Sequence, residues 1–511
     1  MKKVLLFVAL VGSMSMLQAQ DLEKTSLKIE KFKGMSGMRP NPAVIQGFGS
    51  DENNYYVYHA IMSLFGKFDA SFFVINKNLT SVKEYPLTKE KDDRFLWVQT
   101  SEEDLVILLA RDKKGEEKTQ IIKQSYAKTT GTLKKETAIV SFPKSKSEHW
   151  FFYSSTSPDK TKKCFLFMLA NKKNSVDSYY AAVLNQDCKV EWDATHELTI
   201  SNESFNVSDV AVNNKGKMYA AFYSTPKDKK SMDKNSYIDL IYLTDGSKEK
   251  MSFKIDEKRS GGQVYLKALQ NNDIYLTGLF SMENDSKKDD NLYRKELLSI
   301  KVNGRTFNVE GNNKKLFEER VTKKDKNSYV PKMVINDILE LGNGNIVILC
   351  EQSYNLAYTS NGITTYTKTR WSVTTIFVNG QDGAVESFNV MNKMQTHRSN
   401  FDCPAKSLHL SIFPFVYKDK VGYLFNDLQK RYATPEKYKD KTAFFKSANG
   451  DDACIVLNLQ SEGNKSEITP LTGTANPAKR LVRQILFEEK DRLIVLTRNN
   501  KEAYVETLSL K

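Results

Sequence analysis

The sequence predicts an all-β chain built from a repeated four-stranded unit. Three observations carry that prediction. Apolar runs bounded by Gly, Asn and Asp turns dominate the chain. No long segment keeps the 3.6-residue period of an amphipathic helix. A polar turn followed by an apolar strand recurs at 104–109, 216–222, 273–279, 344–349, 420–425 and 491–496.

Each of these strands has a companion. A β-branched or aromatic run, a tight turn and a further strand appear at 72–79, 241–247, 298–304, 375–380 and 455–460. Asp245-Gly246, Asn303-Gly304 and Asn379-Gly380 suit hairpin turns, because both central residues accept positive φ. The units begin near Gln46, Phe95, His149, Phe205, Gln263, Val330, Leu408 and Leu481, at intervals of 49 to 78 residues. Four strands at such a period read as a β-propeller of eight blades, or seven if one unit is misread. Tandem β-sandwiches are the alternative. The last unit, 481–511, has room for three strands. The alternating segment 27–33 would supply its fourth, pairing the two ends of one domain, 20–511, and removing a sheet edge.

Ahead of the repeat, Lys2 and Lys3 precede a short apolar run and Leu17-Gln18-Ala19. That is the pattern of a signal peptide, 1–19. Its run is too short to span a bilayer core of about 30 Å, and no later run reaches 18 apolar residues. The expectation is an exported protein, periplasmic or extracellular, that does not span the membrane. Five cysteines follow, Cys164, Cys188, Cys350, Cys403 and Cys454, with no C-x-x-C. Zinc-ribbon and thioredoxin readings therefore fail. Cys164 opens one predicted strand and Cys188 follows the end of the next, so the two readings are a Cys164–Cys188 disulfide and small buried thiols.

The chain has 511 residues, with 76 Lys and Arg against 62 Asp and Glu, a formal charge of +14. Such a composition excludes collagen, a disulfide miniprotein and full-length disorder. The units resemble those of secreted bacterial β-propeller proteins. The resemblance is architectural and covers nearly the whole mature chain; no kelch double glycine or WD dipeptide recurs regularly enough to name a subfamily. It implies the fold and leaves the function open.

The units differ most in their loops. With strands a to d counted outward from the axis, b–c and d–a loops leave one face of the disc, a–b and c–d turns the other. Long insertions fall between b and c in four successive units, at 225–237, 281–295, 353–370 and 429–446, with net charges of +2, 0, +2 and +4. Loops on a rigid scaffold carry function, and a basic face attracts anionic partners. The candidate binding residues are Tyr354, Tyr358, Tyr366 and Arg370 in the third insertion, and Lys430, Arg431, Tyr432, Lys437 and Tyr438 in the fourth. Tyrosine offers a rigid apolar face and a hydroxyl, suited to sugars or protein.

Catalytic motifs are weak. There is no P-loop, H-E-x-x-H or G-x-S-x-G. Ser141-x-x-Lys144 and Ser157-x-x-Lys160 lack partner motifs. His59, His149, His196, His397 and His409 show no metal-ligand spacing, and Asp289-Asp290-Asn291 and Asp451-Asp452 lack the spaced ligands of an EF-hand. No cofactor or metal is expected. The sequence reads as a non-catalytic binding or scaffold module for a protein or anionic envelope glycan; export disfavours nucleic acid. The alternative is a glycan-active enzyme using inter-blade carboxylates, with Asp69, Asp209, Asp273 and Asp337 as candidates near turns.

Overall fold

The structure, a computed structural model, describes residues 26–29, 43–62, 68–90, 93–146, 151–171, 176–201, 204–225, 235–255, 259–282, 296–316, 332–360, 363–399, 412–428, 443–445, 453–463, 467–471, 481–498 and 503–510. The predicted signal segment, 1–19, and Cys403 lie outside the described residues. All regular structure among them is β.

Strand β1 (Ser26–Ile29) comes first in the chain but belongs to the last blade. Blade 1 is β2 (Ala43–Ser50), β3 (Asn54–Met62), β4 (Phe68–Asn76) and β5 (Val82–Pro86). Blade 2 is β6 (Arg94–Thr100), β7 (Asp104–Asp112), β8 (Lys118–Ala127) and β9 (Leu133–Pro143). Blade 3 is β10 (Phe152–Thr156), β11 (Lys162–Ala170), β12 (Val176–Asn185) and β13 (Val190–Glu197). Blade 4 is β14 (Ser204–Val212), β15 (Met218–Thr225), β16 (Ser236–Thr244) and β17 (Ser247–Ile255). Blade 5 is β18 (Arg259–Ala268), β19 (Ile274–Met282), β20 (Glu296–Val302) and β21 (Val309–Leu316). Blade 6 is β22 (Lys332–Glu340), β23 (Ile346–Ser360), β24 (Ile363–Val378) and β25 (Val385–Ser399). Blade 7 is β26 (Phe413–Tyr417), β27 (Lys420–Leu428), β29 (Ala453–Gln460) and β30 (Glu467–Leu471); the short β28 (Ala443–Phe445), between β27 and β29 in sequence, joins the sheet of blade 6. Blade 8 is β31 (Leu481–Glu489), β32 (Arg492–Arg498) and β33 (Ala503–Ser509), completed by β1.

The four main strands of each blade form an antiparallel meander, and the blades stack face to face around a ring. The apolar runs read from the sequence are the two middle strands. Sheets cover both of their faces, so β11 and β20 are buried almost throughout. Among the described residues eight apolar clusters result, one at each blade–blade interface. Phe165 and Phe167 face blade 2, while Cys164 and Leu166 face blade 4. The cluster joining blades 8 and 1, with Leu496 and Val505 against Tyr55 and Val57, closes the ring. This is an eight-bladed β-propeller; two sandwiches would each close on themselves and leave no such circuit. Strand β1 pairs antiparallel with β33, Ser26 opposite Glu506 and Ile29 opposite Ala503, so the outer strand of blade 8 comes from the opposite end of the chain.

The turns refine the sequence reading. Gly246 does adopt positive φ, at 74°, in a two-residue hairpin. Gly304 does not; in its turn the left-handed residue is Phe307, at 54°. Glycine is required at 304 for close approach instead. A Cβ there would lie 1.8 Å from the Asn272 carbonyl oxygen, because the a–b and c–d turns of blade 5 pack on each other. Gly380 meets Gly344 in the same way in blade 6.

The structure decides against the disulfide and corrects the reading of the third insertion. Cys164 and Cys188 are unbridged buried thiols. Cys164 packs between blades 3 and 4 and Cys188 between blades 2 and 3, on opposite faces of one sheet, so the sulfurs point apart. The third insertion is not a loop. Strands β23, β24 and β25 run 15, 16 and 15 residues, and 353–370 forms a hairpin whose described turn ends are Ser360 and Ile363. The fourth insertion contributes β28, which adds in parallel to the extended end of β25, Gln395 opposite Ala443.

Candidate functional site

Two places on the ring bring chemistry together. The first is the axis. The first strands of neighbouring blades contact one another around much of the ring, which makes them the innermost. Six of the eight carry a register break against their second strand. A bulge re-aims the side chain beside it, and Asp209 and Asp337 stand immediately after two of these breaks. Where the first strands end, on the a–b turn face, they surround a cavity of about 970 Å³. Its lining includes Phe48, Trp97, Lys163, Lys267, Phe487 and Glu488.

The carboxylates around the axis are held high. Burial pushes Asp209 up to about 6, although its oxygens accept hydrogen bonds from the backbone N–H of Val210 (2.8 Å) and of Leu266 in the next blade (2.9 Å). Burial likewise raises Asp337, Glu340 and Glu488. Glu488 is open to the water of the funnel, yet the surrounding walls desolvate it. The charge of Asp337 raises it further. The Lys267 ammonium opposes the rise at all four. Four carboxylates from blades 4, 6 and 8 thus share the field of one lysine in blade 5. At the rim the opposite holds: desolvation of Glu489 is outweighed by Lys77, Arg492 and the Tyr55 hydroxyl, which bring it down to about 2.

On the blade-3 side the wall is basic. Lys163 is 4 % exposed, and burial lowers its pKa. Its ammonium donates to Gln99 Oε1 and lies 5.9 Å from the centre of the Trp97 ring. Gln99 Nε2 in turn donates to the Gln186 carbonyl (2.7 Å) and to Cys188 Sγ (2.9 Å).

The second place is the opposite face. There β23, β24, β25 and β28 form a sheet that continues past the disc. The other first-to-third strands run mostly 7 to 10 residues, so an excess of roughly six residues reaches about 20 Å outward. Tyr358, near the hairpin tip, is 65 % exposed. Arg370 is half-buried lower down, beside the wholly buried Lys393–Glu351 pair. Tyr358 pairs with Thr365 and Arg370 with Ser353. Strand alternation therefore sends the two side chains to opposite faces of the sheet, not to one patch. Tyr354 and Tyr366 occupy the same hairpin, opposite Thr369 and Ala357. Lys430, Arg431, Tyr432, Lys437 and Tyr438 lie outside the described residues, as do Asp289-Asp290-Asn291 and Asp451-Asp452.

The remaining sequence candidates have structural partners. Asp273 accepts from Gly304 N–H (3.1 Å) and pairs with Lys301 (3.1 Å), stapling two turns. Ser157 Oγ donates to Asp159 (2.5 Å), and Gln120 donates to Ser141 Oγ (3.1 Å), so neither serine faces a lysine base. His59 is buried edge-on to Phe73, and burial lowers His196. Asp69 pairs with Ile61 across β3 and β4. Among the described residues no group of three His, Cys, Asp or Glu is placed to hold a metal ion, and no helix is long and apolar enough to cross a membrane. Lys163 and Trp97 were invisible to motif reading. Lys163 reads as half of a surface Lys-Lys pair, and only the stacking of blade 3 on blade 2 sets it against Gln99, 64 residues earlier.

No protein-family profile matches the chain, and no curated protein sequence is similar to it. Its similarity to solved structures is in fold. The β-propeller domain of the Trilobed protease from Pyrococcus furiosus is 11% identical, over 85% of this chain and 97% of that one, with a TM-score of 0.34. A polysaccharide lyase, the PL25 ulvan lyase, is 7% identical over 96% and 95%, with a TM-score of 0.38. A puromycin-hydrolysing peptidase of Mycobacterium tuberculosis is 9% identical over 75% and 57%, with a TM-score of 0.33.

Proposed function

We propose that the protein is an exported, non-catalytic binding propeller that engages a protein or an anionic envelope glycan through its b–c face, with the extended sheet of blade 6 as the contact element. The observation that carries this reading is Tyr358. A large aromatic residue stands 65 % exposed near the tip of a regular hairpin. Burying such a ring in a complex brings a large apolar gain at small entropic cost, because the sheet has already fixed the backbone. The basic residues Lys430, Arg431 and Lys437, in the connection that also supplies β28, add the long-range attraction.

The test is capture of envelope protein and polysaccharide by the mature chain at low and high salt. The reading expects a partner that weakens with salt, and loss of that partner in Tyr358→Ala without a fall in melting temperature. A second variant combines Lys430→Glu, Arg431→Glu and Lys437→Glu, and should capture less at low salt. Capture left unchanged by both variants at every salt concentration would overturn the reading.

A second reading has its own support. A glycan-active enzyme needs a carboxylic acid that keeps its proton near neutrality, and the axial group Asp209, Asp337 and Glu488 has raised pKa values, with Glu488 lining the cavity. Turnover of a polysaccharide by the wild type that Asp337→Asn abolishes would favour this reading over binding alone.

A further inference from the structure

We propose that the axial funnel is a binding site for a carboxylate-bearing sugar, whose carboxylate is taken by the Lys163 ammonium and whose ring lies against Trp97. This site is on the face opposite the blade-6 sheet and is independent of the b–c face reading, and it shares its cavity with the glycan-enzyme reading.

The argument starts from an energetic incompleteness. A buried ammonium is costly unless it is paired and hydrogen-bonded, typically by several kcal/mol. Lys163 is 4 % exposed, yet among the described residues no carboxylate figures in the charges that act on it. Its side-chain acceptor is the neutral Gln99 Oε1. The nearby acid, Asp159, is already taken up: it accepts from Ser157 Oγ (2.5 Å) and from Thr161 N–H (3.0 Å). Glu488, on another wall, is in the field of Lys160 and Lys267. Within the fold the ammonium serves the neutral Gln99 amide and the Trp97 ring; methionine would fill a similar space without the desolvation cost.

What surrounds the ammonium indicates the ligand. Trp97 lines the cavity and is part-exposed; an indole face stacks on the apolar face of a pyranose. Gln46 and Ser155 supply amide and hydroxyl groups beside it in the same cavity. The volume, about 970 Å³, lies at the upper end for small-molecule sites. At the rim Lys160 holds a left-handed backbone, φ 64°, at the turn position that Gly216 and Gly344 occupy in blades 4 and 6. That conformation is unfavourable for lysine, and here it places a second cation at the mouth. One ammonium at depth matches the single charge of a carboxylate. A phosphate dianion would bring an additional charge toward Asp159 and Glu488.

The experiment is calorimetric titration of the mature protein with oligomers of galacturonate, glucuronate and mannuronate, each beside its methyl ester. At least one acid oligomer should bind, with its ester weaker by roughly tenfold or more, as expected for a charge-assisted hydrogen bond. Lys163→Met and Lys163→Gln should bind the acid no better than wild type binds the ester, while their melting temperatures stay level or rise. Tyr358→Ala should bind it like wild type, which separates this site from the b–c face. Binding of none of the three acids, equal binding of acid and ester, or undiminished binding by both Lys163 variants would overturn the proposal. So would a lower melting temperature in both variants, which would make Lys163 a structural group, or tighter binding of glucose 6-phosphate than of glucuronate, which would replace the carboxylate by a phosphate.

Discussion

Replacing Asp209 by asparagine tests whether the axis is desolvated. Its carboxyl has an ordinary value of 3.8 and is pushed up to about 6 in the fold. At 1.36 kcal/mol per unit, a difference of about 2 units is worth about 3 kcal/mol. The sign follows from proton binding. The folded state holds the proton more tightly, so stability is highest below pH 3.8, falls as pH rises through 6 and is level above. The wild type therefore carries a penalty at neutral pH that asparagine lacks. Asparagine brings a cost of its own: its single carbonyl oxygen replaces two acceptors for Val210 and Leu266 N–H, at about 1–3 kcal/mol independent of pH. The change with pH is thus the diagnostic quantity. Between about pH 4 and 7.5 the variant should gain about 2.5 kcal/mol on the wild type. With about 2.1 cal/mol/K of unfolding entropy per residue over 511 residues, that is a relative rise in melting temperature of roughly 2 °C. Paired thermal melts across that range would show it. A constant offset, or a variant that loses ground as pH rises, would refute the reasoning.

Gly304→Ala should destabilise by about 1–3 kcal/mol, because its Cβ would lie 1.8 Å from the Asn272 carbonyl; denaturant titration measures it. Lys393→Met leaves Glu351 buried without its ammonium and should cost about 3–5 kcal/mol. Adding Glu351→Leu should recover most of that loss in the same titration. Leu27→Asp places a charge on the half-buried face of β1 where it packs between blades 8 and 1. It should release the edge of β33, and light scattering should then show concentration-dependent self-association, the usual fate of an open strand edge.

The blade plan was legible in the sequence because it is local. Apolar runs such as 164–170 and 274–279 are the middle strands, whose two faces are both buried, and a strand declares that by composition alone. Strand order within a blade follows from short hairpins. Gly246 serves the positive φ that its Asp-Gly turn implies, while Gly304 and Gly380 serve close packing instead. Their need comes from another turn more than thirty residues away in sequence, which no local rule can detect.

What required the tertiary structure was direction. Cys164 and Cys188 are close in the hairpin, but strand alternation and the turn send them to different interfaces. Tyr358 and Arg370 belong to one hairpin and leave opposite sides of it. Asp209 and Asp337 are two of many acids in the sequence; register breaks and ring closure bring them to the axis and withdraw their water. Lys163 gains its meaning from Gln99 and Trp97 in the neighbouring blade. Period and polarity are written along the chain, whereas desolvation and the pairing of distant charges exist only once eight sheets have closed on one another.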